Sequence, residues 1–401
     1  MKNVLVLTTT FPRWRNDSTP SFVFDLSSLL SKKYNIAVLA PHAYRAAKNE
    51  SIGNLKVARF SYFLPWKYQK IAYGAGILPN VKKSLLAKMQ LPGFLASQIN
   101  SAKKIIEKEK INIVHAHWLV PSGLIGALLK KKYKIPLIVT IHGSDLFPLK
   151  NRFFRAMQQY VVKNADLITI NSKIAQNELV SRFPGIKNKI KLIPMGIDTS
   201  TFRPKNTKNK HKRYRNNKII LFVGRLNEQK GVEYLIKAMQ NVASEVKNAK
   251  LLVIGEGDHK KHLENLAKSL EIGDYVEFLG SKPQTEIAGY YNLADIVVLP
   301  SATSKMGTEA FGLVLVEAMA CGACVMGSSS GGIKEIIKNN INGLIFQERN
   351  SGELSAKMIK LLKNQKLRNR LGRNGLAYAR QNYKWDKISS KFLKLYSNLL
   401  K

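Results

Sequence analysis

Short apolar blocks alternate with amphipathic stretches along both halves of the chain, and that alternation predicts the architecture. In the first half the blocks predict strands over 4–8, 36–40, 113–116, 137–141, 167–170 and 191–193. Between them a helical period predicts helices over 20–33, 93–109, 122–132, 152–164 and 173–182. Thr19 suits the N-cap of the first helix and Pro20 its first turn. The second half starts the alternation again, with strands over 219–223, 251–254, 276–279, 296–299, 324–326 and 344–346. Its helices are expected over 231–244, 260–270, 284–293, 314–320, 332–338 and 351–363. Strand–helix alternation implies right-handed crossovers and parallel, doubly wound sheets. We therefore expect an α/β protein of two Rossmann-like domains facing each other across a cleft, with ligands at the C-terminal strand ends.

The polar, basic stretch 204–217 has almost nothing to bury and reads as a linker. The domains expected on either side are 1–203 and 218–382. Trp385, Ile388, Phe392, Leu395, Tyr396 and Leu399 share one helical stripe. A helix over 383–401 should therefore return to complete the first domain.

Charge changes the picture. The 401 residues carry 65 Lys and Arg against 26 Asp and Glu, a formal net charge of +39. Such a field favours anionic partners: a lipid headgroup surface, nucleic acid or a phosphorylated substrate. Between Ser51 and Ser144 the acids are Glu107 and Glu109 alone. Within that segment, 60–94 adds Phe60, Tyr62, Phe63, Trp66, Tyr68, Tyr73 and Phe94. Three readings stay open for it: contact with an anionic bilayer, an aromatic core under a long loop, and base stacking on nucleic acid. No apolar run is long enough to span a membrane, and the apolar start is too short for a signal peptide. The expected place is the cytosol or the cytosolic face of a membrane. Cys321 and Cys324 form a C-x-x-C pair, but there is no second pair to complete a zinc site. They read as small buried residues at the end of a helix.

The candidate chemistry gathers at predicted strand ends. Glu309 and Glu317 stand eight positions apart around Gly312 and an apolar run. Were that interval helical, its ends would lie about 12 Å apart, enough to reach the two ends of a nucleotide sugar. A helix starting near Gly312 would offer free N–H groups to a diphosphate between them. Arg225 and Lys230 lie in the turn between Gly224 and Gly231, where two cations and a helix start could hold a diphosphate without metal. The chain has no Asp-x-Asp pair to bind a divalent cation there. Gly255 and Glu256 follow the next strand as a weaker cradle. In the first half His115, His117 and the run His142-Gly-Ser-Asp145 close strands, open to a substrate-positioning, structural or metal role.

Taken together, Phe222-Val-Gly-Arg-Leu-Asn-Glu-Gln-Lys-Gly-Val, Val253-Ile-Gly-Glu-Gly, Thr308-Glu-Ala-Phe-Gly-Leu with Glu317-Ala-Met-Ala-Cys-Gly, and Asn342-Gly-Leu resemble retaining GT-B glycosyltransferases of family 4. His115-Ala-His117, His142-Gly-Ser-Asp and Pro194-Met-Gly-Ile-Asp198 extend the resemblance over nearly the whole chain. It implies a metal-independent hexosyltransferase with no cofactor beyond a nucleotide diphosphate sugar, UDP- or GDP-linked, as co-substrate. Glu309 would bind donor-sugar hydroxyls, Glu317 the ribose, and Arg225 and Lys230 the diphosphate. Backbone groups of Phe311, Gly312, Leu313 and Val314 would hold sugar and phosphate, with Gly224, Gly255 and Glu256 beside them. His142 would touch the donor sugar from the first domain, and His117 would lie on the acceptor side. The implied acceptor is a sugar or lipid-linked glycan at an anionic membrane surface, in cell-envelope polysaccharide or glycolipid synthesis, with no nucleic-acid partner. A nucleotide-sugar epimerase or phosphorylase of the same fold is the alternative enzyme, and a basic nucleic-acid-binding protein the alternative class. One departure stands out. The loop after the first strand, 11–21, lacks the glycine usual in the family. Arg13 and Arg15 are expected to take its role.

Overall fold

The computed structural model describes residues 1–14, 17, 19–74, 76–206, 212–305 and 307–400. They form two compact units, residues 1–196 with 385–401, and residues 197–384.

The first unit is built on β1 (Asn3–Leu7), β2 (Asn35–Pro41), β3 (Asn49–Ile52), β4 (Leu55–Phe60), β5 (Ile113–His117), β6 (Leu137–Ile141), β7 (Leu167–Ile170) and β8 (Ile190–Leu192). Their order is β3-β4-β2-β1-β5-β6-β7-β8. All neighbours are parallel except β3 and β4, an antiparallel edge pair. That pair was not expected from the sequence, because β3 (Asn-Glu-Ser-Ile) is polar and only half covered. The central strands are buried on both faces, as a sheet sandwiched between helices requires.

The second unit holds β9 (Lys218–Val223), β10 (Ala249–Ile254), β11 (Val276–Gly280), β12 (Ile296–Leu299), β13 (Cys324–Ser328) and β14 (Leu344–Phe346). They form one parallel sheet in the order β11-β10-β9-β12-β13-β14. Two parallel-sheet α/β domains of this kind are the GT-B arrangement the motifs imply.

Three expectations are corrected. The first helix is Phe22–Leu30, not 20–33, and its N-cap is Ser21 without a side-chain bond. The Asp17 carboxylate accepts the Thr19 N–H at 3.2 Å, which keeps Thr19 and Pro20 in the preceding loop. The described parts of 204–217 pack on the second unit rather than standing free. The Lys205 N–H donates to Asn292 Oδ1 at 2.6 Å, and buried Tyr214 donates to Glu277 at 3.0 Å. An additional helix, Gln365–Tyr383, precedes the final one.

That final helix, Trp385–Leu399, belongs to the first unit as its stripe predicts. Trp385, Ile388, Phe392 and Tyr396 enter the core formed by Val4, Phe11, Val23, Leu26 and Ile36. The hydroxyl of Tyr396 meets His115 Nδ1 at 2.7 Å, joining the helix to β5 by a buried polar bond.

Candidate active site

In the second unit every strand runs the same way, so the loops leaving β9, β10, β12 and β13 gather on one edge of the sheet. Gly224 and Arg225 leave β9, Gly255 and Glu256 leave β10, Ser301 follows β12, and Ser330 follows β13. The glycine at 255 is required: φ is +144°, and a Cβ there would stand 1.8 Å from the Gly224 carbonyl oxygen.

Glu309 lies in the loop after β12 and not on a helix; the helix is Leu313–Ala320, with Gly312 as N-cap at φ +93°. The turn at Gly312 separates the two glutamates, so the fully helical spacing considered above does not apply. Lys230 Nζ donates to Glu309 Oε2 at 2.5 Å and Ser301 Oγ donates to the same oxygen at 2.8 Å. Among the described residues Oε1 has no protein donor, although Glu309 is only 8% exposed. Burial alone would push this carboxyl up. Lys230, Ser301 and Arg225 outweigh it and hold the group below the usual carboxylate range. Burial pulls the Arg225 guanidinium down from its ordinary value, with Glu309 opposing.

The Glu309 loop is braced on both sides. Gln229 donates to the Thr308 carbonyl at 2.7 Å, Thr308 Oγ1 meets Ser330 Oγ at 2.9 Å, and the Gly332 N–H donates to the Glu309 carbonyl at 2.8 Å. Leu313 and Val314 open the helix, where N–H groups have no acceptor within it. Phe311 is buried against Tyr383, ring centroids 5.8 Å apart, and so contributes backbone rather than side chain to this edge.

Glu317 is buried one turn and more along the same helix and accepts from Tyr291 Oη at 2.9 Å. Glu256 is half exposed and pairs with Lys260 at 2.9 Å. Cys321 and Cys324 are free and buried, and burial pushes both thiols up to about 12. Ser301 and Tyr291 were missed by the sequence reading. Ser301 could have been found as the second residue past a predicted strand end. Tyr291 carries no local signal, since only folding brings its helix beside Glu317.

In the first unit, β5, β6 and β7 deliver His117, His142 and Asn171 to one edge. His142 is packed among Phe22 (4.9 Å), Trp118 (4.7 Å) and His117 (5.3 Å) ring to ring. His117 Nδ1 and His142 Nε2 are 3.0 Å apart, so one carries the proton they share. Burial pulls His115 and His142 down to about 3 and His117 well below its ordinary value, so all three are neutral. The Asp145 carboxylate accepts from the N–H groups of Leu119 (2.6 Å), Gly143 (3.0 Å) and His142 (3.2 Å), fixing the loop that presents His142. Even so, burial raises its carboxyl to about 6. His117, Asn171 and Trp385 line a small cavity in this unit, and each has a buried polar atom with no partner among the described residues. Three such atoms around one cavity fit ordered water there.

Arg13 is engaged otherwise than expected. Its guanidinium is taken up by Asp17 (2.8 and 2.6 Å) and stacks on Trp14 at 4.3 Å. Arg15 lies outside the described residues. Among the described residues no group of three or more His, Cys, Asp or Glu could hold a metal ion.

With this geometry in hand, comparison with known proteins identifies the relatives. The family model for glycosyl transferases group 1 matches residues 204–377, and that for glycosyltransferase family 4 matches 20–201. An uncharacterized glycosyltransferase of Methanocaldococcus jannaschii is 32% identical over 349 residues, 87% of this chain and 92% of its own. A D-inositol 3-phosphate glycosyltransferase of Corynebacterium jeikeium is 28% identical, over 78% of this chain and 79% of its own. Among solved structures, sucrose-phosphate synthase of Thermosynechococcus elongatus superposes with a TM-score of 0.83 at 21% identity, covering 100% of this chain and 99% of that one. Anabaena HepE, solved with UDP and glucose, gives 0.77 at 18% identity, over 99% and 100%.

Proposed function

The chain belongs to the group 1, family 4 glycosyltransferases, and from that premise we propose that it moves a hexose from a nucleotide diphosphate sugar to a glycan or lipid-linked acceptor. Transfer retains the anomeric configuration and needs no metal. The observation that carries the reading is the buried Glu309 carboxylate: Oε2 is bound by Lys230 and Ser301, and among the described residues no donor reaches Oε1, which suits it to a sugar hydroxyl. A carboxylate kept ionised in a dry loop is a strong acceptor for sugar O–H groups. Among the described residues Lys230 Nζ bonds Glu309 alone, which keeps N–H capacity for a phosphate oxygen.

The chemistry follows from charge. As the bond from the anomeric carbon to the diphosphate oxygen breaks, negative charge grows on the leaving group. Arg225, Lys230 and the helix start at Leu313 stabilise it, the electrostatic effect that usually dominates such catalysis. The acceptor hydroxyl attacks from the face the diphosphate leaves, and its proton passes to the departing phosphate oxygen. Glu317 holds the ribose, with Tyr291 fixing its carboxylate. Anabaena HepE was also solved with UDP-glucose, which makes UDP-sugars the first donors to try.

The test is a screen of UDP-, GDP- and ADP-sugars for hydrolysis and transfer, with Glu309→Ala and Lys230→Ala beside the native chain. One donor class should turn over, and each substitution should abolish the reaction. Near-native turnover in either variant overturns the assignment. A rearranged or phosphorolysed sugar formed without any acceptor points instead to an epimerase or phosphorylase.

A further inference from the structure

The segment 60–94 divides into a buried half and an exposed half. Phe60, Tyr62 and Phe94 are core, with Phe94 edge-on to both others at 5.0 Å. For these the aromatic-core reading holds, and membrane contact is ruled out by burial. Outside them stand Leu64 at 71% exposure, Trp66 at 38%, Tyr68 at 43%, Leu85 at 72% and Met89 at 64%.

These exposed side chains occupy two short pieces, a single 3-10 turn at Trp66–Tyr68 and the helix Leu85–Met89. Buried Gln90 fastens the pieces together. Its Nε2 donates to the Tyr68 carbonyl at 2.7 Å, and its Oε1 accepts the Lys70 N–H at 3.0 Å. Gln69 donates to the Phe63 carbonyl at 3.1 Å, closing the turn on itself. Trp66 is held between His42, 5.0 Å away, and Lys48, whose Nζ lies 4.4 Å over the indole. The apolar residues are thus presented by a fixed platform and not by a loose loop. Lys67, Lys70, Lys82, Lys83 and Lys88 are all exposed around them, and 60–94 contains no Asp or Glu.

Leaving such residues in water is unfavourable, and their surroundings say what covers them. A second protein surface would need acids to answer five lysines. Nucleic acid would use the aromatic rings and the charge but has no use for exposed Leu64, Leu85 and Met89. A bilayer with anionic headgroups uses all three: acyl chains take the aliphatic tips, the interface takes Trp and Tyr, and the headgroups take lysine. We propose that the turn Trp66–Tyr68 with Leu64 and the helix Leu85–Met89 form a surface that docks the protein on an anionic lipid bilayer. No helix among the described residues is long and apolar enough to cross a membrane, and the surface proposed here would hold the chain at the headgroup level. The consequence for the acceptor, that it is lipid-linked and presented in that bilayer, rests on the transfer reading above. The docking itself does not.

The test is flotation of the full chain with vesicles of phosphatidylcholine, alone or containing about one third phosphatidylglycerol, at about 0.05 and 0.5 M salt. Binding should require the anionic lipid and weaken with salt. Leu85→Ser with Met89→Ser, and separately Lys82→Ala with Lys83→Ala and Lys88→Ala, should each weaken partitioning by about tenfold or more. All these side chains are exposed, so the variants should melt as the native chain does. Glu309→Gln should float unchanged, which separates failure of docking from failure of the donor assignment. Equal binding to neutral vesicles, or none to anionic ones, overturns the proposal. So does an apolar variant that merely dissolves a dimer in sedimentation, or patch-dependent binding of an RNA oligonucleotide without flotation.

Discussion

At the scale of residues, the Lys230–Glu309 pair does two things that substitution can separate. Both side chains are mostly buried, at 20% and 11% exposure. Removing one partner leaves the other charge in a dry loop, and broken buried pairs cost about 3–5 kcal/mol. Lys230→Met should fall near the low end, since Arg225 still faces Glu309. Replacing both, Lys230→Met with Glu309→Gln, removes the stranded charge and should recover most of the stability. It should recover none of the transfer. Chemical denaturation beside a turnover assay reads both quantities. A double variant that regains activity along with stability would mean the pair is a structural bridge and not part of the reaction. Ser301 sharpens the point, because its hydroxyl still reaches the amide oxygen of a glutamine at 309 and keeps the loop in place.

At the scale of elements, the parallel strands were legible because buried strands in an α/β sheet are continuous apolar runs. The blocks at β6, β7, β12 and β14 appear with the boundaries expected. The edge pair β3 and β4 was not legible, since an edge strand half covered by protein has no reason to be apolar. Arg225, Lys230 and Glu309 stand out in the sequence because they follow predicted strand ends, whereas the helical spacing of the two glutamates does not hold. Their fixed partners Ser301 and Tyr291 come from elements that only tertiary packing brings near. The Arg13 guanidinium is paired with Asp17, four residues on in the same loop, a pairing the sequence reading did not weigh. The last helix makes its own prediction. Phe392 is buried in the core of the first unit though it lies at the far end of the chain. Phe392→Ala should destabilise that unit by about 3–5 kcal/mol through lost burial and the cavity left behind. Tyr396→Phe strands His115 Nδ1 and should cost about 1–3 kcal/mol. In calorimetry both should lower one transition, assigning it to the first unit, and leave the other in place. Equal shifts in both transitions would show that the helix supports the two units alike.

At the scale of the whole molecule, the two units carry buried titratable groups of opposite habit, so acid should separate them. His115 and His142, held near 3, and His117, also pulled down by burial, are neutral in the folded first unit. In the unfolded chain an imidazole titrates near about 6.5, so below that value the unfolded state takes up protons the native state refuses. Their contribution is complete above about 6.5 and is lost as pH falls towards 3. His42, lowered by burial, acts in the same sense. Asp145 opposes them. Raised to about 6, it binds its proton earlier in the folded state than in the unfolded, giving back part of the loss. One carboxyl stands against several imidazoles, and the net effect is a first unit weakened by acid. The Glu309 carboxyl in the second unit is held below its ordinary value, so its stabilisation persists down to the unfolded carboxylate range near about 4.3 and fails only beneath it. Between about pH 6.5 and 5, the transition assigned through Phe392→Ala should therefore move down while the other holds. His115→Gln should flatten that dependence by removing one of the groups that titrates. If the second unit's transition moves first, the buried histidines do not govern the acid stability of the first, and their neutrality in the folded state is wrong.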